Sequence, residues 1–234
     1  MKPTQLPLGV RLRDDATFAN YYPGANAAAL GYVERLCEAD AGWTESLIYL
    51  WGGEGVGRSH LLQAACLRFE QHGEQAVYLP LTEVVEYGPV LLDNLEQCEL
   101  VCLDDLDAVA GRDDWEVALF HLFNRLRDSG RRLLLAASAA PRELAIRLPD
   151  LQSRLSLALV FQLQSLSDED KLRALQLRAS RRGLHLTDEV GRFILTRGTR
   201  SMSALFELLE QLDQASLQAQ RKLTIPFLKE VLHW

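Results

Sequence analysis

Leu47-Ile48-Tyr49-Leu50-Trp51-Gly52-Gly53-Glu54-Gly55-Val56-Gly57-Arg58-Ser59-His60-Leu61-Leu62 is the stretch whose reading decides the fold. An apolar run leads into a glycine-rich turn, and helix-compatible residues follow. The frame Gly52-x-x-x-x-Gly57-x-Ser59 is that of a P-loop, with Arg58 where lysine is usual. A backbone that wraps a polyphosphate needs positive φ at several positions, which a Cβ resists. Its N–H groups, together with the positive end of the helix starting near Gly57, then face the phosphates. Gly52, Gly53, Glu54, Gly55, Val56, Gly57, Arg58, Ser59 and His60 are therefore candidate nucleotide contacts, with Ser59 placed to ligate Mg²⁺. A glycine-rich strand-to-helix turn without a ligand is the alternative. Strand, full spacing, serine and helical continuation together favour the nucleotide.

Arg58 changes the expected chemistry. Guanidinium is broad, planar and always charged, whereas lysine delivers a compact charge to the β- and γ-phosphates. Arginine still neutralises phosphate, but hydrolysis rests almost wholly on positioning and electrostatics. The chain is thus expected to hold a nucleotide better than it turns one over, with weak intrinsic ATPase activity at most.

The 234 residues, 48% hydrophobic and 24% charged, suit one large domain or a large one plus a small one. A formal charge of −7 argues against an extended nucleic-acid or anionic-membrane surface. Cys37, Cys66, Cys98 and Cys102 form no C-x-x-C pair, which favours buried thiols in a reducing compartment over disulfide or zinc. No secretory leader or membrane-length apolar run is visible, so a cytoplasmic protein is expected.

Outward from the central stretch, residues 1–14 carry Pro3, Pro7 and Gly9 without a regular period and read as a mobile arm. Within it, Gln5-Leu6-Pro7-Leu8 suits docking in an apolar groove, the Gln5 amide fixing register for Leu6 and Leu8; a featureless tail is the alternative. The aromatic turn Thr17-Phe18…Tyr22-Pro23-Gly24 either packs on a nucleotide base or joins the core. Asn26 is placed to cap the helix over 27–37. After the P-loop the patterning predicts a helix over 60–72, a strand over 76–81 and partial helix over 84–95.

Leu100-Val101-Cys102-Leu103 is an unbroken apolar run, the mark of a strand buried on both faces of a parallel sheet. Asp104 and Asp105 follow at its carboxyl end, where such folds bind ligands. Asp104 is expected to hold the water shell of the same Mg²⁺. Asp105 either polarises an attacking water or belongs to a solvated acidic loop. A helix over 115–129, a fourth strand over 132–138 tipped by Ser138, and a short helix over 141–148 broken by Pro149 come next. Ser138 emerges beside Asp104 and is a candidate sensor of the terminal phosphate. Arg154 precedes a fifth strand over 157–163. It is either a surface arginine or, as in stacked P-loop subunits, a charge projecting into a neighbour's nucleotide. Beyond about residue 164 the pattern becomes all-helical, with a capping signature at Ser167-Asp168-Glu169-Asp170 and cap positions at Thr187 and Thr224. Arg173, Arg178, Arg181 and Arg182 are expected on a solvated or partner-facing side. Arg200 opens a long helix, from which it either stays at the surface or folds back onto phosphates. The expected division is an arm over 1–14, an α/β nucleotide-binding domain over 15–164 with a five-stranded parallel sheet, and a small helical lid over 165–234.

These features together resemble an AAA+ module, and within it the ATPase core of the bacterial initiator DnaA. More closely, the chain is similar to the Hda family of DnaA-related regulators. The resemblance rests on Gln5-Leu6-Pro7-Leu8, Thr17-Phe18…Tyr22-Pro23-Gly24, the arginine-bearing P-loop, Pro149-Asp150-Leu151-Gln152-Ser153-Arg154-Leu155, Ser167-Asp168-Glu169-Asp170-Lys171-Leu172, and Gln220-Arg221-Lys222-Leu223-Thr224-Ile225-Pro226-Phe227. It implies that Asp104 and Asp105 stand at the Walker B positions, Ser138 at sensor 1, Arg200 at sensor 2 and Arg154 at the arginine finger. It implies ADP as cofactor, with ATP as the alternative, and Mg²⁺. Gln5, Leu6 and Leu8 match the motif that docks on the DNA polymerase III sliding clamp (beta subunit), although Gly9-Val10 departs from its usual apolar end. The implied partners are DnaA and the clamp, with DNA met only through the clamp and no membrane. A homodimer or higher oligomer is compatible with the fold. The chain stops at Trp234, so the initiator's helix-turn-helix is expected to be missing. The implied function is negative regulation of chromosomal replication initiation, by an arginine supplied in trans that stimulates ATP hydrolysis on DnaA. Rival readings are an AAA+ motor or helicase loader using its own ATP, a DNA-binding initiator paralogue, and a scaffold with a vestigial P-loop.

Overall fold

The computed structural model describes residues 12–13, 15–38, 46–199 and 201–234. Helix α1 (Ala27–Leu36) precedes strand β1 (Leu47–Trp51), and the P-loop leads into α2 (Arg58–Gln71). Then come β2 (Ala76–Pro80), the short α3 (Leu81–Val84), β3 (Leu100–Asp104), α4 (Asp113–Asp128), β4 (Arg132–Ala137), α5 (Pro149–Leu155) and β5 (Leu159–Gln162). The strands form one parallel sheet in the order β2-β3-β4-β1-β5. Four helices follow: α6 (Asp168–Arg181), α7 (Asp188–Arg197), α8 (Met202–Ala219) and α9 (Ile225–Leu232).

Both faces of the sheet are buried, and strand alternation divides them. Ile48, Leu50, Leu100, Cys102, Leu134 and Ala136 pack with Val33 and Leu36 of α1 and Leu61, Leu62 and Phe69 of α2. Tyr49, Val101, Leu103, Leu133 and Leu135 point the other way, against Trp115, Leu119 and Leu122 of α4 and Leu151 and Leu155 of α5. That is why β3 reads as a continuous apolar run: each neighbour in sequence serves a different layer. The four final helices bury a core of their own, including Leu175, Ile194, Leu205, Leu209, Leu212 and Phe227. The expected α/β AAA+ architecture with a helical lid is what the chain adopts.

Helix ends follow the capping chemistry in the lid. Ser167 and Asp170 form a reciprocal capping box, and the Thr187 and Thr224 hydroxyls accept from the Val190 and Phe227 N–H groups. Two local expectations fail for identifiable reasons. Asn26 does not cap α1; its amide donates to Gln164 O (2.9 Å) and its carbonyl accepts from Gln164 N–H (2.7 Å), tying α1 to the chain leaving β5. Residues 141–148 form turns and extended chain, and Pro149 opens α5, a position where its missing N–H costs nothing. Arg154 therefore lies in the last turn of a helix. The segment over 84–95 is helical in part, as expected, in 3₁₀ turns that break at Gly88. Phe18 packs on the core layer beside α1 and α2. Cys37, Cys66 and Cys102 are buried free thiols, and burial pushes Cys37 up to about 12.

Candidate nucleotide site and a separate arginine

The turn after β1 has the backbone that a phosphate cradle needs. Gly52, Gly55 and Gly57 have φ of +153°, +75° and +98°. A Cβ on Gly52 would meet Leu163 O at 2.6 Å, and one on Gly57 would meet the Tyr21 ring at 2.7 Å. Gly52 N–H donates to Ala137 O (3.3 Å), which roots the turn between β1 and β4, and Gly53 is exposed at its tip. Helix α2 starts at Arg58 behind Gly57, which has no side chain to cap it. Its first-turn N–H groups are left for whatever sits in the turn.

Arg58 and the two aspartates meet there. Arg58 Nη2 lies 3.7 Å from Asp105 Oδ1, while Arg58 Nη1 is buried and has no hydrogen-bond partner among the described residues. A buried, unpaired guanidinium nitrogen beside an open glycine turn is the demand a phosphate oxygen answers. Asp105 adopts φ +53°, a left-handed conformation unusual outside glycine, and accepts from Thr82 Oγ1 at 3.2 Å. Burial, then the neighbouring Asp104, raise its carboxyl above the usual range, with Arg58 and Thr82 opposing. Asp104 is 1% exposed. Its Oδ2 accepts from Tyr78 Oη (2.8 Å) and its Oδ1 from Asp105 N–H (3.0 Å). Burial and Asp104 raise the Tyr78 phenol, with the nearby Ser59 and Gln63 side chains opposing. A hydroxyl and a carboxylate in this arrangement are hard oxygen ligands of the kind Mg²⁺ takes.

A cavity of about 360 Å³ opens between this turn and the lid. Glu54, Gly55, Val56, Gly57, Arg58, Ser59, His60 and Asp105 line one wall, with Tyr21 and Tyr22 beside them. Leu166, Ala174, Met202 and Phe206 supply an apolar opposite wall, with the Arg178 guanidinium set into it. Polar cradle at one end and apolar slot at the other fit a nucleoside phosphate. His60 packs on Tyr21 and bonds Thr17 O at 2.8 Å; burial lowers its pKa, with the Thr17 carbonyl opposing. Pro23 opens the turn into α1 behind Tyr22.

Other sequence candidates fall elsewhere. The Ser138 N–H and hydroxyl both go to Asp107, at 2.8 and 2.5 Å, so this residue ties the ends of β3 and β4 together and its hydroxyl is already committed. Gln5, Leu6, Leu8 and Arg200 lie outside the described residues. Arg178, expected on a solvated side, is 4% exposed within the cleft wall, stacked over Phe206 at 4.3 Å.

Arg154 is at the far edge of the sheet. It lines a hollow with Leu47 and Leu133, near the starts of β1 and β4, whereas the P-loop follows the end of β1. Four residue steps along a strand make that separation roughly 13 Å. Its guanidinium sits 6.0 Å from the Phe120 ring centroid, half-buried, and among the described residues no carboxylate pairs with it. Asn124, whose Oδ1 is buried without a partner among the described residues, lines the same hollow.

Sequence reasoning missed Glu116. The carboxylate is 1% exposed and accepts from Gly111 N–H (2.7 Å), Leu148 N–H (2.7 Å) and Arg147 N–H (2.9 Å). It pins the irregular 141–148 segment ahead of α5. Glu116→Gln places an amide NH₂ where one oxygen now accepts, orphaning a buried backbone N–H. A loss of about 1–3 kcal/mol in urea unfolding is expected; an unchanged midpoint would contradict the accounting.

Comparison with known proteins agrees with this construction. The family model described as "Bacterial DnaA ATPase domain" matches residues 89–162, and "Hda, lid domain" matches 168–232. Domain III of the Thermotoga maritima replication initiation protein DnaA superposes with a TM-score of 0.77 at 20% identity, covering 96% of this chain and 98% of that one. AMPPCP-bound DnaA from Aquifex aeolicus gives 0.73 at 22% identity, covering 88% and 67%. A RuvB variant from Thermotoga maritima gives 0.62 at 12% identity, covering 93% and 73%. At these identities the superpositions establish shared fold. Taken with the two family models, they make the chain a Hda-like, DnaA-related AAA+ protein.

Proposed function

We propose that this protein is a negative regulator of replication initiation that keeps its own nucleotide bound and supplies Arg154 to the ATP site of DnaA. The observation that carries the reading is the separation of cradle and arginine: Arg154 is remote from its own P-loop, half-buried on an aromatic ring and free of any acidic partner among the described residues. A guanidinium so placed serves a site on another molecule. In phosphoryl transfer such a group meets the charge that builds on the equatorial oxygens, and an arginine supplied in trans is worth about three to five orders of magnitude in rate. DnaA would end ADP-bound.

The protein's own cleft would hold ADP, with ATP as the alternative. The cradle and the Arg58 guanidinium would take the phosphates, and Tyr22 with the lid's apolar wall would take the base. The DnaA structure with AMPPCP supports an adenine nucleotide in this fold. Mg²⁺, held by Ser59 and through water by Asp104, would neutralise phosphate charge. Tyr78 orients the Asp104 carboxylate for that task. The Arg58–Asp105 contact engages the residue that would otherwise polarise water, which favours retention over turnover. Gln5, Leu6 and Leu8 would dock on the DNA-loaded sliding clamp and deliver the protein to DnaA. The reading implies a cytoplasmic protein with an arm over 1–14, docked on the core at Leu12 and Arg13, and a lid from about residue 165.

The test is reconstitution of ATP-loaded DnaA with clamp and DNA. Adding the protein should accelerate conversion to ADP–DnaA, and deleting residues 1–10 should abolish clamp retention while leaving ADP affinity intact. No acceleration would overturn the regulator reading. Brisk turnover by the protein alone would instead support an AAA+ motor or helicase-loader-like activity.

A further inference from the structure

Arg13 and Asp15–Thr17 cross the mouth of the cleft and touch both of its walls. On the P-loop side, Arg13 N–H donates to Gln63 Oε1 (3.0 Å) and Thr17 O bonds the His60 ring (2.8 Å), both residues being in α2. On the lid side, the Asp15 carboxylate pairs with Arg178 of α6 and lies 4.0 Å from Arg182. Arg182 is itself anchored to Glu210 (3.4 Å) and Asp213 (3.6 Å) of α8. Asp15 is held from behind by Asn20, whose amide donates to its backbone carbonyl at 2.9 Å.

Arg178 is the unusual member. Its side chain is 5% exposed and stacks over Phe206, and both residues line the cleft. Burial lowers its pKa to about 10. A buried cation needs a counter-charge, and breaking such a pair from one side is far more disruptive than losing a surface ion pair. Here the carboxylate in direct contact comes from the segment bonded to the P-loop helix, while Glu210 of the lid acts on Arg178 from farther away. Moving the lid away from the P-loop therefore separates Arg178 from Asp15.

We propose that Asp15 and Arg178 form a latch that holds the lid against the P-loop side of the cleft and sets how long a nucleoside phosphate stays bound. The proposal rests on the nucleotide reading of the cleft and adds two positioning residues to it. The pair must part each time the lid opens, so losing it speeds the escape of a bound nucleotide.

Release of mant-ADP from the full chain, chased with excess ADP, measures it. Asp15→Asn and Arg178→Met are expected to speed release at least about tenfold. Asp15→Glu should keep slow release, and the double variant Asp15→Asn/Arg178→Met should be no faster than the faster single one, as one broken interaction requires. Arg125→Met breaks the Arg125–Glu96 pair (2.9 Å) away from the cleft and should leave release unchanged, which separates latching from general destabilisation. If Arg178→Met does not fold, Asp15→Asn carries the test, since it leaves the guanidinium on Phe206. Release within twofold of wild type in folded Asp15→Asn, with binding still saturable, would overturn the latch alone. Failure of wild type to bind mant-ADP at all would overturn the nucleotide reading and the latch with it.

Discussion

Arg154→Ala is expected to fold, retain nucleotide like the wild type, and lose the stimulation of DnaA hydrolysis by about three to five orders of magnitude, down to the initiator's unassisted rate. Stability should change little. The side chain is half-buried over Phe120 in the last turn of α5, has no ion pair among the described residues, and leaves Leu151 and Leu155 to hold the helix on the core. Nucleotide retention should be unchanged because the cradle is at the opposite edge of the sheet. Arg154→Lys should recover only part of the rate, since a point charge replaces a planar fork that meets two oxygens at once. Single-turnover conversion of ATP–DnaA in the presence of clamp and DNA reads all three proteins. Full stimulation by the alanine variant would remove Arg154 from the mechanism.

The second large effect belongs to Arg58. Hydrogen bonds to charged groups contribute about 1.5–3 kcal/mol, so Arg58→Ala should weaken ADP binding roughly ten- to a hundredfold. The sign on the empty protein is different. There the guanidinium leaves Nη1 buried and unpaired, with Asp105 as its nearest counter-charge at 3.7 Å, so removing it takes away an unsatisfied group. The melting temperature without nucleotide should therefore be unchanged or slightly higher, while the shift produced by saturating ADP shrinks. Calorimetric titration and thermal melts on the same preparations separate the two. An alanine variant that binds ADP as tightly as wild type would mean that the orphaned nitrogen is not waiting for phosphate.

What was legible in the sequence was local. The strand–glycine turn–helix grammar around Gly52–Ser59 is written in consecutive residues, and so is the apolar run ending at Asp104. Both landed where read, because a parallel strand buried on two faces leaves little choice of pattern. The lid's capping residues were legible for the same reason: Ser167 and Asp170 satisfy each other across three positions.

What was not legible depends on chain segments far apart. Asn26 looks like a cap until Gln164, 138 residues on, takes both ends of its amide. Tyr78 and Glu116 carry no motif; they matter because β2 lies beside β3, and because the 141–148 segment returns over α4. Arg178 belongs to a run of arginines on one helix, and only the arrival of Asp15 makes it a buried one. From sequence alone Pro149 looks like a breaker, and in the structure it opens α5. It is as often an opener, and which of the two it is depends on whether the residues after it can bury Leu151 and Leu155.

The proposed mechanism consumes the neighbour's nucleotide and leaves the protein's own intact. Placing labelled ATP on one partner at a time tests it most directly. With the label preloaded on DnaA and unlabelled nucleotide on this protein, clamp and DNA should drive rapid release of labelled phosphate. With the label preloaded on this protein and unlabelled ATP on DnaA, the label should remain uncleaved over the same period. Cleavage that follows the label onto this protein at a comparable rate would contradict the account.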